Sequence, residues 1–306
     1  MQQTVRACVH VNRRNTVRNV ADPGAIGDGG GPRAQAGRYG LGHSDGELDR
    51  LADQARLIEP ITRRFLSAAG ITRGMRVLDV GSGVGDVAFL AAELVGDVGE
   101  VIGVDRAPAA LNVARRRADS LATCNVTFLD GDPAEMTFDR PFDAIVGRYV
   151  LLFQSDPVAM LHGLLRHLAP GGVVVFHEPE WVRAHSAPHV PSWQRCCRLV
   201  VEGFSAGGAD SEMGAKLPAV YGAAGLPAPK LAMETVIGAG ADSAEQVHFT
   251  TDVVVTLLPE LQRLGHVAPG EIDPATLADQ VLADITACES VFVGRSEIGA
   301  WSTNPT

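Results

Sequence analysis

LDVGSGVGD, residues 78–86, joins the end of an apolar run to a loop with glycine at every second position. The run it closes, MRVLDV (75–80), has the branched apolar make-up of a buried strand, and VAFLAAELV (87–95) beyond it suits a helix. A strand, a glycine turn and a helix in that order bring backbone amides close to whatever lies against the turn. The glycine spacing narrows what that can be. The dinucleotide fingerprint G-x-G-x-x-G needs glycine at 81, 83 and 86, whereas here Gly81, Gly83 and Gly85 are followed by Asp86. A carboxylate at a helix N-terminus stands where a pyrophosphate would dock and repels it. A phosphate-binding G-K-[ST] turn is also excluded, because no lysine is near. The loop therefore suits a nucleoside without phosphates.

Outward from the loop, strands and helices alternate. EVIGVD (100–105), NVTFLD (125–130), FDAIVGR (142–148) and VVVFHE (173–178) read as strands. Helical stretches at 107–122 and 157–168 separate them, the second stopped by PGG at 170–172. Apolar strands alternating with helices predict a parallel sheet covered on both faces. After Glu180 the rhythm breaks: 190–225, 244–265 and 274–287 read as helices, and 230–238 and 291–303 as strands. Upstream, SDGE (44–47) has the form of a capping box, and Pro60 can open a second helix that Gly70 ends.

The next strand ends carry acids. Asp105 closes the second strand, where a carboxylate facing the crevice can accept from both hydroxyls of a ribose. Asp132, in LDGDP after the third strand, can accept from an adenine amino group. A ligand with a base and ribose at one end and a charged, phosphate-free group at the glycine loop fits this set. S-adenosylmethionine has that form.

Together, VLDVGSGVGD, VIGVD, LDGDP, FDAIVGRYVLLFQ and LAPGGVVVFHEPEW resemble the motifs of class I S-adenosylmethionine-dependent methyltransferases. The wider pattern, from YGLGHSDGELDRLADQA to the terminal GAW, resembles bacterial small-molecule methyltransferases and covers roughly residues 39–303. The resemblance implies an α/β, Rossmann-like, mostly parallel sheet of seven strands in the order 3-2-1-4-5-7-6, with N-terminal helices and helical lid insertions. It implies that Asp79, Gly81, Ser82, Gly83 and Gly85 surround the methionine end and that Asp105 binds the ribose. Arg106, Asp132 and Pro133 then border the adenine, and Arg148 the amino-acid portion. It also brings Gln54 and Tyr39 over the same cleft, Tyr39 as a candidate for the catalytic set.

The acceptor side is read from HEPEW (177–181), where an apolar strand ends in charge. Strand C-termini line the crevice of this architecture, so His177 or Glu178 could accept a proton from the acceptor. Tyr149 or Trp181 could stack on a flat ring or shield a cationic methyl. Phe204 and Tyr221, in the expected lid, could supply an apolar wall. Glu178, His185 and His189 lack the H-E-x-x-H spacing, so no metal is expected.

Composition sets the outer bounds. The chain has 306 residues, 46% hydrophobic and 20% charged, with a net charge of −10. That balance argues against nucleic acid as a partner. No run of about eighteen apolar residues occurs, so no membrane partner is expected. Five cysteines without C-x-x-C spacing argue against a disulfide framework and fit a reducing cytoplasm. Residues 1–37, basic and then Gly/Pro-rich, read as a disordered extension before a methyltransferase domain at 38–306 with a cap at 186–228 and 242–288. An exchanged N-terminal segment would allow a homodimer. The expectation is methyl transfer from S-adenosylmethionine, released as S-adenosylhomocysteine, to a small aromatic or indole-like acceptor. The alternatives are a macromolecular acceptor (RNA or protein), or a cyclase or non-methylating binder on the same fold.

Overall fold

The computed structural model describes residues 45–305, with side chains from Leu57 onward except at Ala241. The expected extension at 1–37, Tyr39 and the Ser44 cap lie outside the described residues, and so does the side chain of Gln54. The chain opens with α1 (Asp45–Ala68). A helix start at Pro60 was expected, but α1 runs through it as one element. Pro60 is on the exposed side, where water can serve the carbonyl that loses its partner.

The strands β1 (Arg76–Val80), β2 (Glu100–Asp105), β3 (Val126–Asp130), β4 (Phe142–Arg148) and β5 (Leu168–Glu180) pair in parallel in the order 3-2-1-4-5. All five residues of β1 are buried. Its side chains alternate between two cores, Val77 joining one and Leu78 and Val80 the other. Each such residue contributes on the order of 2 kcal/mol through burial, so an acid at Leu78 would be stranded in a dry core. The second half of the sheet is antiparallel. β8 (Val291–Thr303) lies beside β5, and β7 (Lys230–Ala239) pairs along the other edge of β8. The expected seven-strand order is therefore present, with one addition. A short strand β6 (His185–Ala187) continues along the β5 side of β8 after a break at 181–184.

Helices α2 (Asp86–Val95), α3 (Pro108–Ser120) and α4 (Pro157–Leu165) connect the parallel strands. Pro108 and Pro157 stand in the first turns, where a missing N–H costs nothing. Asp156 caps α4, its carboxylate accepting from Ala159 N at 2.8 Å. Within the expected cap, α5 (Pro191–Ala206), α7 (Ala244–Arg263) and α8 (Leu277–Ala287) pack on one another. By contrast, α6 (Met213–Ala223) lies against β5, β8 and α4 as a face helix. Cys196, Cys197 and Cys288 are free thiols, the first two buried. Among the described residues no helix is long and apolar enough to cross a membrane, and no cluster of side chains could hold a metal.

Candidate active site

A cavity of about 460 Å³ opens above the C-terminal ends of β1, β2, β4 and β5 and runs beneath α5 and α7. Its floor is the glycine loop. Gly81, Gly83 and Gly85 all have left-handed φ, at 64°, 52° and 95°, a backbone that costs glycine nothing. Gly85 leads into α2, and a Cβ there would lie 2.8 Å from both Phe128 and Phe89. At Gly83 a Cβ would meet nothing within 4 Å, so this glycine borders open space in the cavity wall. Asp105 braces the loop, accepting from Gly83 N and Ala107 N, both at 2.8 Å. Each of its oxygens keeps a further lone pair for a ligand. Asp132 accepts from Ala134 N at 2.9 Å and pairs with the exposed Arg106.

Beneath the loop, Asp79 is fully buried and burial holds its carboxyl well above the usual range. Asp79 Oδ2 and Ser82 Oγ are buried with no hydrogen-bond partner among the described residues. Asp86 is not the bare negative charge the sequence suggested. Arg117 pairs with it at 2.7 Å, and Arg148 Nη2 lies 3.6 Å away. Its repulsion of a phosphate is therefore partly compensated, although its carboxylate still fills the start of α2.

The opposite wall is aromatic: Tyr149, Phe153, Trp181, Phe204 and Phe249 face the cavity. Behind it lies a buried polar chain. Glu297 Oε2 accepts from Tyr149 Oη at 2.8 Å and contacts His177 Nε2 at 2.9 Å, while Oε1 accepts from Arg295 Nε at 2.6 Å. His177 Nδ1 faces Thr62 Oγ1 at 3.1 Å. Burial drives the His177 imidazole below its ordinary pKa. It is then neutral, donating from Nε2 to Glu297 and accepting from Thr62. The Glu297 carboxyl is lowered to about 2: burial works against this, but the Arg295 guanidinium and the His177 hydrogen bond outweigh it. Glu178, wholly buried, accepts from the backbone amides of Val150 (3.0 Å), Leu151 (2.8 Å) and Leu152 (3.4 Å). It thereby caps the turn after β4, which Tyr149 enters with a left-handed φ of 57°. Desolvation raises its carboxyl to about 8 against those three amides.

With this geometry, a family model described as a methyltransferase domain matches residues 71–217. The match spans strands 1 to 5 and their glycine loop. The stretch that builds the glycine loop and strands 1 to 5 is thus similar to a methyltransferase domain. The chain is 34% identical over 149 residues to the aklanonic acid methyltransferase DauC of a Streptomyces species, covering 48% of this chain and 66% of the relative. It is 42% identical over 111 residues to a 2-phytyl-1,4-naphthoquinone methyltransferase of Synechococcus elongatus, covering 35% and 48%. The chain thus spans less than two thirds of the length of these relatives, 66% of one and 48% of the other. A solved structure from Bacillus halodurans, described as a candidate methyltransferase, superposes with a TM-score of 0.53 at 17% identity, over 79% of this chain and 98% of that one. That likeness supports the fold.

The cavity gathers most of the residues singled out from sequence. Gly81, Ser82, Gly83, Asp105, Arg106, Asp132, Pro133 and Arg148 line the cavity at one end, and Tyr149, Trp181 and Phe204 at the other. Asp79 and Gly85 support the loop from outside the lining. Three candidates are placed elsewhere. His177 and Glu178 are absent from the wall because their polar atoms are consumed by Glu297, Thr62 and the turn amides. Tyr221 is in the core, its hydroxyl receiving from Phe176 N at 3.1 Å and donating to Ala300 O at 2.8 Å, which pins α6 to β5 and β8. Sequence reasoning missed Arg295 and Phe249. The signal for Arg295 was present: two opposite charges, Arg295 and Glu297, two residues apart in an apolar strand and so on one face of it.

Proposed function

We propose that this protein transfers a methyl group from S-adenosylmethionine to a small aromatic acceptor in the cytoplasm. The observation that carries the reading is one cavity joining the glycine loop and the Asp105–Asp132 pair to an aromatic wall. The residues fit the cofactor. Gly83 leaves space at the loop, and Asp105 keeps lone pairs for ribose hydroxyls. Ser82, in the cavity lining, has a hydroxyl with no hydrogen-bond partner among the described residues. Arg148, with 9% of its side chain exposed, supplies a cation for the amino-acid carboxylate.

When bound, S-adenosylmethionine supplies a methyl group on a cationic sulfur, which leaves as a neutral thioether once a nucleophile takes the methyl. The chain's own contribution is positioning. Trp181, Phe204 and Phe249 hold a flat acceptor and exclude water. Tyr149 contributes its ring to the cavity wall, where it would shield a cationic methyl group. His177 and Glu178 act as positioning residues, fixing Tyr149 and the turn through Glu297 and the backbone.

A small acceptor is supported by relatives named for methylating aklanonic acid and a naphthoquinone, and by the net charge of −10, which disfavours RNA. The test is incubation with methyl-labelled S-adenosylmethionine and, separately, small fused-ring acids and quinones, RNA, and protein. Label in the small-molecule fraction is expected. Label in RNA or protein alone would refute it, and binding without transfer to any fraction would favour a non-methylating role.

A further inference from the structure

Arg295 presents unused donors at the acceptor end of the cavity. It is 5% exposed yet lines the wall. Its Nε and Nη2 are engaged by Glu297 and by Tyr149 Oη, at 2.6 and 2.7 Å. Nη1 donates to no acceptor among the described residues, although a guanidinium carries five N–H groups. Three rings surround the group: Phe249 at 4.3 Å, Trp181 at 4.9 Å and Tyr149 at 5.2 Å from the guanidinium carbon. Rings cover the flat faces of a guanidinium and leave its N–H edge as the polar approach.

A second observation points the same way. The carboxylates in the cavity wall are Asp86, Asp105 and Asp132, all at the glycine-loop end. Among the described residues the aromatic end holds no carboxylate, imidazole or amine, and Tyr149, its one acidic group, is held well above its ordinary pKa by burial. Among the described residues an acceptor seated there meets a cation but no general base. A nucleophile that already carries a negative charge needs no base, and a fixed cation stabilises it.

We propose that Arg295 is a specificity-determining residue that receives an anionic oxygen on the acceptor, a carboxylate or the enolate of a hydroxyquinone, attached to a flat aromatic frame. This rests on the methyl-transfer reading and adds the charge of the acceptor to it. In that arrangement Arg295 Nη1 and the free Nη2 hydrogen donate to the oxygen, while Trp181 and Phe249 contact the ring. When the oxyanion is an enolate, its ionisation is favoured in the site and the acceptor arrives as a nucleophile. When it is a carboxylate, it orients the ring or is itself the atom methylated.

The test is calorimetric and needs no turnover. β-Naphthoate and its neutral amide are each titrated into protein loaded with S-adenosylhomocysteine, and a hydroxynaphthoquinone and its methyl ether form a second pair. The unaltered protein is expected to favour the anion of at least one pair by about tenfold or more. Which pair shows the preference distinguishes carboxylate from enolate. Because removing Arg295 alone strands the Glu297 charge, the variant is the double change R295Q/E297Q, with R295K as the conservative partner. R295Q/E297Q is expected to erase the preference while S-adenosylhomocysteine binds as before, and R295K to keep part of it. Equal affinities within both pairs, or a preference surviving in R295Q/E297Q, would overturn the proposal. If S-adenosylhomocysteine fails to bind the unaltered protein, the reading of the glycine loop falls instead, and the same pairs titrated without it still decide Arg295.

Discussion

Glu297 illustrates how a single residue holds this site together. One buried carboxylate receives Arg295, Tyr149 and His177, so three side chains from the turn after β4, from β5 and from β8 are oriented by one acid. Its carboxyl is lowered from an ordinary 4.5 to about 2. The unfolded chain therefore takes up the proton first as pH falls. Stability from this group is fully present above about pH 4.5 and drains as pH falls toward the folded value. Between about pH 5 and pH 3 the contribution lost is about 2 kcal/mol. Urea unfolding across that window should show the unaltered protein losing about that much more than R295Q/E297Q; parallel curves would contradict the assignment. At this scale the sequence was partly legible. Asp105 and Asp132 could be placed because strand ends before a turn project into the crevice whatever the packing. His177 and Glu178 also stand near a strand end, but successive residues of a strand point to opposite faces, and no local pattern says that Glu297 and three turn amides will claim them.

The deciding element is the turn between β1 and α2. Its three left-handed glycines have different neighbours, and substitution should separate them. Gly85→Ala combines backbone strain with contacts at 2.8 Å to Phe128 and Phe89, and should lower stability by about 2–4 kcal/mol. Gly83→Ala meets open space and should cost only about 1–2 kcal/mol. It should nevertheless weaken S-adenosylhomocysteine binding, because Gly83 borders the space a ligand would fill. Urea titration and calorimetry read the two effects separately, and full affinity in Gly83→Ala would show that the ligand passes elsewhere. The strands and connecting helices around the turn were legible from periodicity alone. Two element-level features were not. The helix continues through Pro60 because the proline faces water, and α6 joins the sheet rather than the lid because Tyr221 anchors it to Phe176 and Ala300. Both depend on contacts distant in sequence.

At the scale of the molecule, a parallel sheet places a base-and-ribose end and an aromatic end on one cavity, with α5 and α7 closing over the second. The parallel sheet was readable because strand and helix alternate regularly up to Glu180; its strand order followed from the family resemblance, since alternation alone does not fix which strands are neighbours. The glycine loop takes a phosphate-free nucleoside in this reading, with the Asp86 carboxylate, paired with Arg117, at the start of α2. Calorimetric titration with S-adenosylhomocysteine and with NAD, on the unaltered protein and on Asp105→Ala, tests it most directly. The account predicts micromolar binding of S-adenosylhomocysteine, at least about tenfold weaker in Asp105→Ala through the lost ribose contacts, and no comparable binding of NAD. Tight binding of NAD with none of S-adenosylhomocysteine would contradict it.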